Sequence, residues 1–535
     1  MIDKVSTSER RWVFAWAVAI VVISSLPYLW GILITPKNYH FLGLTHNIDD
    51  GAVYLSWMRQ AADGHFFIRN LFTSEPQAAR AFNLLFLVMG GFARITHLPL
   101  IWAFHIFRAL LGVTLIWSIW RFSKLFLDNP TARRILIPLV GLSAGVGWLI
   151  PGAKAPTGSV DLWQPEAITF LSIYLNPLFL AGLILMLWSL YFLTQTHRYG
   201  RVTDAISAGV MLLLLGNIHT YDVITVACVW AAYVLLTWIT DRHIPKQTII
   251  LSLLAAIIAV PSVWYQFHLY QIDPVFQARA NSPTPSPIIW SFFEGYGLVL
   301  IGAIIGIITI LSASRQANPQ SPTPNPHLLL VWSLVGFALP YIPVGQQRKL
   351  VMGLHIPLCI LCAYALSLLI ARIPASSRRA VIIALVALTA VSNLHFLALD
   401  LNLLNSGQTV THYRPFLQSD EMAAIGYLRA HVSPSDAIFA PPDMSIFIPA
   451  LAGRQVYYGH WSETPDYGSK LGEWADFVRA AGKGYPRGDI LASTEAKWLV
   501  AYDLSQGISQ SLRIKRKWGF HSVRVYCIIS PVALE

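Results

Sequence analysis

Apolar residues run along this chain in long blocks, separated by short polar segments in which basic residues dominate. A helix needs roughly 20 apolar residues to cross the hydrocarbon core of a bilayer. Blocks of that kind lie at 12–34, 99–120, 135–151, 167–194, 203–218, 221–240, 247–267, 288–311, 328–344, 352–371 and 380–399. They predict eleven spans, those at 135–151 and 203–218 being short. The first block follows Arg10 and Arg11 and exceeds a signal peptide in length, so it reads as a retained anchor. The Gly-broken apolar stretch 82–95 predicts a helix lying in the outer interface. Pro274, Pro283, Pro285 and Pro287 predict an irregular loop over 268–287, and 312–327 reads as a Pro-rich linker. After residue 400 the pattern changes. Helices are predicted at 419–432 and 470–484, with strands at 436–442, 454–459, 497–503 and 522–529. The fold class is therefore an α-helical polytopic membrane protein, with a transmembrane domain over 1–400 and an extracytoplasmic α/β domain over 401–535.

Composition sharpens this picture. Hydrophobic residues make up 55% of the 535 and charged residues only 12%, about half the charge of a soluble chain. An ordinary soluble enzyme and a disordered chain are both excluded. The net charge of +11 is not a nucleic-acid signature: residues 401–535 carry 13 Lys+Arg against 12 Asp+Glu, and the surplus falls in short loops of the first 400 residues. A single basic run at 513–517 reads as a solvated surface, and no nucleic-acid partner is expected. An N-terminus on the cytoplasmic side puts Arg121, Arg133, Arg134, Arg198, Arg201, Arg242 and Arg378 inside, and eleven crossings leave the C-terminal domain outside. Three of the four cysteines lie in apolar runs, which argues against a disulfide framework.

Ten of the fifteen acids in residues 1–400 fall on the outer side. Charge bias concerns Lys and Arg, so this gathering points to chemistry. The densest cluster opens the first outer loop: His46-Asn47-Ile48-Asp49-Asp50, then Tyr54, Arg59, Gly64 and Asn70. Adjacent carboxylates repel unless a cation, a metal or a proton joins them. The stretch 51–64 predicts an amphipathic helix whose Tyr54, Trp57 and Met58 lie on the bilayer. On the cationic side, Arg348-Lys349 interrupts two apolar runs at an outer end, where an anionic partner such as a lipid phosphate would hold it; Arg59, Arg69, Arg80 and Arg94 are weaker candidates. Arg108 falls inside a span and needs a partner in the bundle. Asp161 and Glu166 sit in the next outer loop, and 216–222 brings His219 and Asp222 to the meeting of two short spans. His46, Asp49 and Asp50 leave a divalent cation open as a cofactor. Tyr457-Tyr458-Gly459-His460-Trp461 offers rings that either stack on a glycan or fill the α/β core.

The acid pair, the Tyr four residues on, the Arg and the Gly resemble the GT-C class of membrane glycosyltransferases, in particular the branch of protein O-mannosyltransferases and aminoarabinose transferases. The hydropathy plan is similar along the whole chain. The resemblance implies transfer of a sugar from a polyprenyl-phosphate donor to a hydroxyl of a glycan, lipid or protein acceptor at the outer leaflet of a plasma membrane. It implies Asp50 or Asp49 as the base. Asp161 or Glu166 is a supporting acid, with Arg348 and Lys349 on the phosphate. Counting from Tyr54 and Arg59 favours Asp50, and counting from Gly64 favours Asp49. A transporter or flippase of lipid-linked glycans, and a polysaccharide polymerase or ligase, are the alternatives.

Overall fold

The computed structural model describes residues 7–150, 157–280, 282–316, 326–409, 411, 413–483, 487–502, 514–520 and 522–528. Most of the Pro-rich stretch 312–327, the start of the loop before Asp161, and Arg513 of the basic run lie outside the described residues. Among those described, eight helices are long and apolar enough to cross a membrane: Thr7–Leu33, Leu100–Ser123, Pro177–Tyr199, Tyr221–Asp241, Lys246–Ile272, Ile289–Ser312, Gln347–Ala371 and Ala375–Asn405. Three of the expected spans form shorter helices: Pro130–Leu142, Val202–Ile218 and His327–Ala338. The block 167–194 splits at Asn176, whose side chain accepts the Phe179 N–H at 3.0 Å while Pro177 takes the first helical position, where no donor is needed. The segment 268–287 is not wholly irregular. Lys246–Ile272 runs into it and Pro274–Ala280 is a further helical turn, started by Asp273 accepting the Val275 N–H.

The chain forms two compact units. One comprises Met1–Leu26, His105–Gln266 and Pro283–Leu399; the other comprises Pro27–Phe104, Phe267–Ser282 and Asp400–Glu535. In the first, Pro177–Tyr199 and Gln347–Ala371 are 78% and 72% buried, which makes them central, whereas Lys246–Ile272 is 28% buried. That outer helix turns Ile250, Leu253, Ile257, Val260 and Trp264 outward at helical spacing. Such a stripe is untenable in water and is the face a helix presents to lipid. Charged groups near the N-terminal helix are paired. Arg108 donates to Ser24, Ser25 and the Ile173 carbonyl at 3.1, 2.7 and 3.0 Å, which supplies the partners its position demands. Glu9 receives Arg133 through two nitrogens, at 2.7 and 3.0 Å, and the Trp120 indole at 2.8 Å. Glu9→Ala would strand the Arg133 guanidinium, at an expected cost of about 3 kcal/mol. Thermal unfolding in detergent reads this, and an unchanged midpoint would show that the pair contributes nothing.

The second unit interlaces the first loop with the C-terminal segment. Strand β1 (Tyr39–Phe41) pairs antiparallel with β2 (Phe416–Gln418), Tyr39 opposite Gln418. Further on, β3 (Ile438–Phe439), β4 (Trp498–Tyr502), β5 (Ile514–Phe520) and β6 (Val523–Ile528) form a sheet in the order β3-β4-β6-β5. Helix Tyr467–Gly482 contributes Trp474 and Phe477 to a core with Phe439, Tyr457, Tyr458 and Leu499. Residues 454–459, expected as a strand, make only single bridges, Val456 with Ile438 and Tyr458 with Thr73. The reason is that this segment also serves the first loop: the Val456 N–H donates to the Leu71 carbonyl, and Gln455 Nε2 to the Thr73 carbonyl at 2.6 Å. Lys470 pairs with Glu75, and Asn70 Nδ2 donates to the Glu463 carbonyl at 2.6 Å.

Candidate functional site

Helix Ile48–Ala62 places Asp49 and Asp50 in its first turn, where unpaired amides and the helix dipole favour negative charge. The two side chains diverge. Asp49 is buried, with Oδ1 enclosed and without a hydrogen-bond partner, whereas the Asp50 side chain is 43% exposed and accepts Asn47 Nδ2 at 2.6 Å. Between them arrives His460, wholly buried, with Nε2 3.5 Å from Asp50 Oδ1 and 3.8 Å from Asp49 Oδ2. The Ser462 N–H donates to His460 Nδ1 at 3.1 Å, which assigns the ring proton of the neutral form to Nε2, facing the carboxylates. Burial depresses the His460 ring, but Asp50, Asp49 and Glu463 outweigh it and hold the ring above its ordinary value. Burial, and then the Asp50 charge, raise the Asp49 carboxyl above the usual carboxylate range; His460 offsets this only in part.

Ionised Asp49 is costly in the folded state, so its contribution is most favourable below the ordinary carboxylate value and is lost as pH rises through the raised one. Asp49→Asn is therefore expected to flatten the decline in melting midpoint toward alkaline pH and to raise it near pH 8, by about 2–4 °C per kcal/mol regained. Parallel midpoint-versus-pH curves for the two proteins would refute this.

His460 is the residue the sequence reasoning missed as a site residue. It lies in the Tyr457–Trp461 stretch, where attention went to the rings; Tyr457 and Tyr458 are buried in the α/β core, and Trp461, 45% exposed, is the ring left to meet a ligand. The metal arrangement is not supported. His46 turns its Nδ1 onto Asp400 Oδ1 at 2.9 Å, and the protonated His460 Nε2 takes the inner side of the carboxylates. No three His, Cys, Asp or Glu side chains among the described residues converge on a metal position. Tyr54, Trp57 and Met58 do not lie on the bilayer. They are buried beneath helix Leu84–Thr96, with Tyr54 stacked on Phe86 at 5.2 Å. Arg59 falls ten residues beyond Asp49, about 15 Å along the helix axis, beside Asp63 and away from the acid pair.

The first unit holds the cationic candidates. Residues Gln347–Val351 form a 3-10 turn fixed from three sides: the Arg348 N–H donates to Thr284, Gln164 Nε2 to the Arg348 carbonyl at 2.9 Å, and Thr225 Oγ1 to the Leu350 carbonyl at 3.3 Å. The Arg348 guanidinium rests 5.6 Å from the Trp163 ring and Lys349 Nζ 4.7 Å from the Tyr221 ring. Arg348 Nε is enclosed and finds no acceptor among the described residues. A half-buried cation so placed is short of an anion. His219 Nδ1 lies 3.0 Å from Asp222 Oδ2, contact without hydrogen-bond alignment, so these two face each other beside Tyr221.

The two acids of the next loop differ. Asp161 is fully buried and its oxygens are spent on Ser159 and on the Gly145 and Gly147 N–H groups at 3.0 and 3.3 Å. Burial raises its carboxyl, and these bonds partly restore it. The backbone comes this close because Gly145 and Gly297 lack side chains: a Cβ on Gly145 would stand 1.9 Å from the Glu294 carbonyl, and Gly297, at φ 41°, breaks the helix opposite. Glu166 is also buried, yet it makes no hydrogen bond or ion pair with a described residue.

The fold is that of the GT-C glycosyltransferases. ArnT from Cupriavidus metallidurans, solved bound to undecaprenyl phosphate, superimposes with a TM-score of 0.53 at 14% identity, covering 97% of this chain and 99% of its own. The Archaeoglobus fulgidus oligosaccharyltransferase, tethered to an acceptor peptide, gives 0.52 at 15% identity over 91% of this chain and 69% of its own. The mycobacterial arabinofuranosyltransferase AftD gives 0.55 at 14% identity over 96% of this chain and 40% of its own. No protein-family model and no curated protein matches the sequence.

Proposed function

We propose that the protein is a membrane glycosyltransferase that moves a sugar from a polyprenyl-phosphate-linked donor to a hydroxyl acceptor on the outer side of a plasma membrane. The observation that carries this is the exposed Asp50 beside a buried Asp49, whose carboxyl burial raises, and a buried His460, within a fold shared with glycosyltransferases. Substitution at an anomeric carbon needs a base on the acceptor hydroxyl and stabilisation of the departing phosphate. Asp50 supplies the base. Asp49 is buried and so does not meet the acceptor, and His460 positions the pair. Arg348 and Lys349 supply charge to the phosphate, in keeping with the lipid phosphate bound by ArnT. Glu166 is the supporting acid, and Asp161 anchors its loop.

The basic surplus in the short loops supports a cytoplasmic N-terminus. The test is transfer by detergent-purified protein from a panel of labelled polyprenyl-phosphate sugars to its native membrane extract. Label reaching an acceptor with release of free polyprenyl phosphate supports the reading. Label crossing a liposome bilayer still joined to its lipid would replace it with a flippase.

A further inference from the structure

A second cluster of charge has no part in that chemistry. The far end of helix Ile48–Ala62 and the loop after it border a cleft of about 640 Å³, within the range of small-molecule sites, lined by Arg69, Arg429, Arg454, Asp63, His65 and Phe67 among others. Arg59 stands directly behind it, its Cγ 3.1 Å from where a Cβ on Gly453 would be; Gly453, at φ 66°, lets the backbone pass there. Four arginines and one carboxylate thus lie at or beside the cleft. Asp63 takes Arg429 at 2.8 Å and Arg59 at 4.0 Å, which leaves Arg69 and Arg454 without an ion pair among the described residues.

Arg454 is spent on backbone carbonyls, bonding Val432 at 2.7 Å and Gly453 at 3.2 Å. Arg69 and Arg59 are not. Arg69 uses one nitrogen, on the Pro434 carbonyl at 2.9 Å, and Arg59 Nε is enclosed without an acceptor. Burial above all pulls these guanidinium groups below their ordinary value, and for Arg59 and Arg454 the charge of Arg429 adds to it. The loop that carries Arg69 is braced: Gln60 bonds both the N–H and the carbonyl of Arg69, at 3.0 and 2.9 Å. Phe67 stands 47% exposed on the rim, as a flat apolar face next to a forked donor. A carboxylate or phosphoryl group matches the fork, and a sugar ring matches the aromatic face.

We infer that this cleft binds an anionic saccharide, a sugar bearing a carboxylate or a phosphoryl group, with Arg69 on the oxyanion and Phe67 against the ring. The anion half rests on charge and geometry alone, and the saccharide half rests on the glycosyltransferase reading. The experiment is calorimetric titration of the detergent-purified full chain with glucuronate, glucose 6-phosphate, glucose, inorganic phosphate and undecaprenyl phosphate, for the parent, Arg69→Gln and Phe67→Ala. Glucuronate and glucose 6-phosphate are expected to bind saturably and glucose not. Affinity should fall about 10-fold or more in Arg69→Gln and about threefold in Phe67→Ala. Phe67 is a rim side chain, so its variant keeps the test valid if Arg69→Gln misfolds. Undecaprenyl phosphate should bind parent and Arg69→Gln alike.

Glucuronate binding that is absent, or unchanged in both variants, overturns the inference. Inorganic phosphate binding as tightly as either sugar anion would reduce the cleft to a bare oxyanion site, and loss of undecaprenyl phosphate in Arg69→Gln would make its occupant a lipid headgroup; either result overturns the saccharide assignment. These titrations involve no turnover. Failure of the transfer reading would appear separately, as absence of transferred label.

Discussion

Asp50→Asn protein is expected to fold and bind lipid donor as the parent does, yet to transfer sugar about 100- to 10,000-fold more slowly, the range for removal of a positioned general base. The amide keeps the size of the side chain and its contact with Asn47, so loss of activity cannot be blamed on collapse of the helix start. Asp49→Asn is the internal comparison. Its carboxyl is buried, and its replacement should spare most of the rate while altering stability as described above. If Asp49→Asn abolishes transfer and Asp50→Asn does not, the assignment of the two reverses. If neither slows it, the acid pair is not the base. His460→Gln belongs in the same series. It is a positioning residue, so its variant should displace the pH–rate profile rather than erase the rate.

Arg348→Ala is expected to weaken binding of polyprenyl phosphate by about 10- to 150-fold, the worth of a hydrogen-bonded charge contact of about 1.5–3 kcal/mol. The loss should shrink as salt rises, because a charge pair at a half-exposed site is screened. Arg348→Lys separates shape from charge. Lysine keeps the positive charge but not the planar fork that lies against Trp163, so partial recovery is expected. Equal binding by parent and Arg348→Ala would remove the phosphate assignment and bring the transporter reading forward.

Much of the helical plan was legible because lipid demands long apolar blocks, and such blocks are written contiguously. The places where it was not legible have physical causes. Strand β5 read as a basic run because charged residues are scarce in strands generally; but β5 is the edge of its sheet, and edges are where Lys is tolerated and useful. The apolar face of helix Ile48–Ala62 was visible, but sequence does not say whether lipid or another helix covers it, and Phe86 turned out to do so. At the site, Asp49 and Asp50 were legible as neighbours. His460 was not, since no spacing rule links it to residues so far upstream. Its one local signal was a histidine set between Gly459 and Trp461 in an otherwise aromatic stretch.

The interlacing of the first loop with the C-terminal segment also sets an order of events. Asp49 leaves the ribosome long before β2 and His460 exist, about 20–80 s earlier at ordinary rates of synthesis. Until then β1 has no partner strand, and the acid pair has no imidazole beside it. The acid pair is thus completed only when synthesis is nearly finished. A chain that stalls or is cut after its last membrane helix would be inserted, yet would leave β1 unpaired and the acid pair without its imidazole.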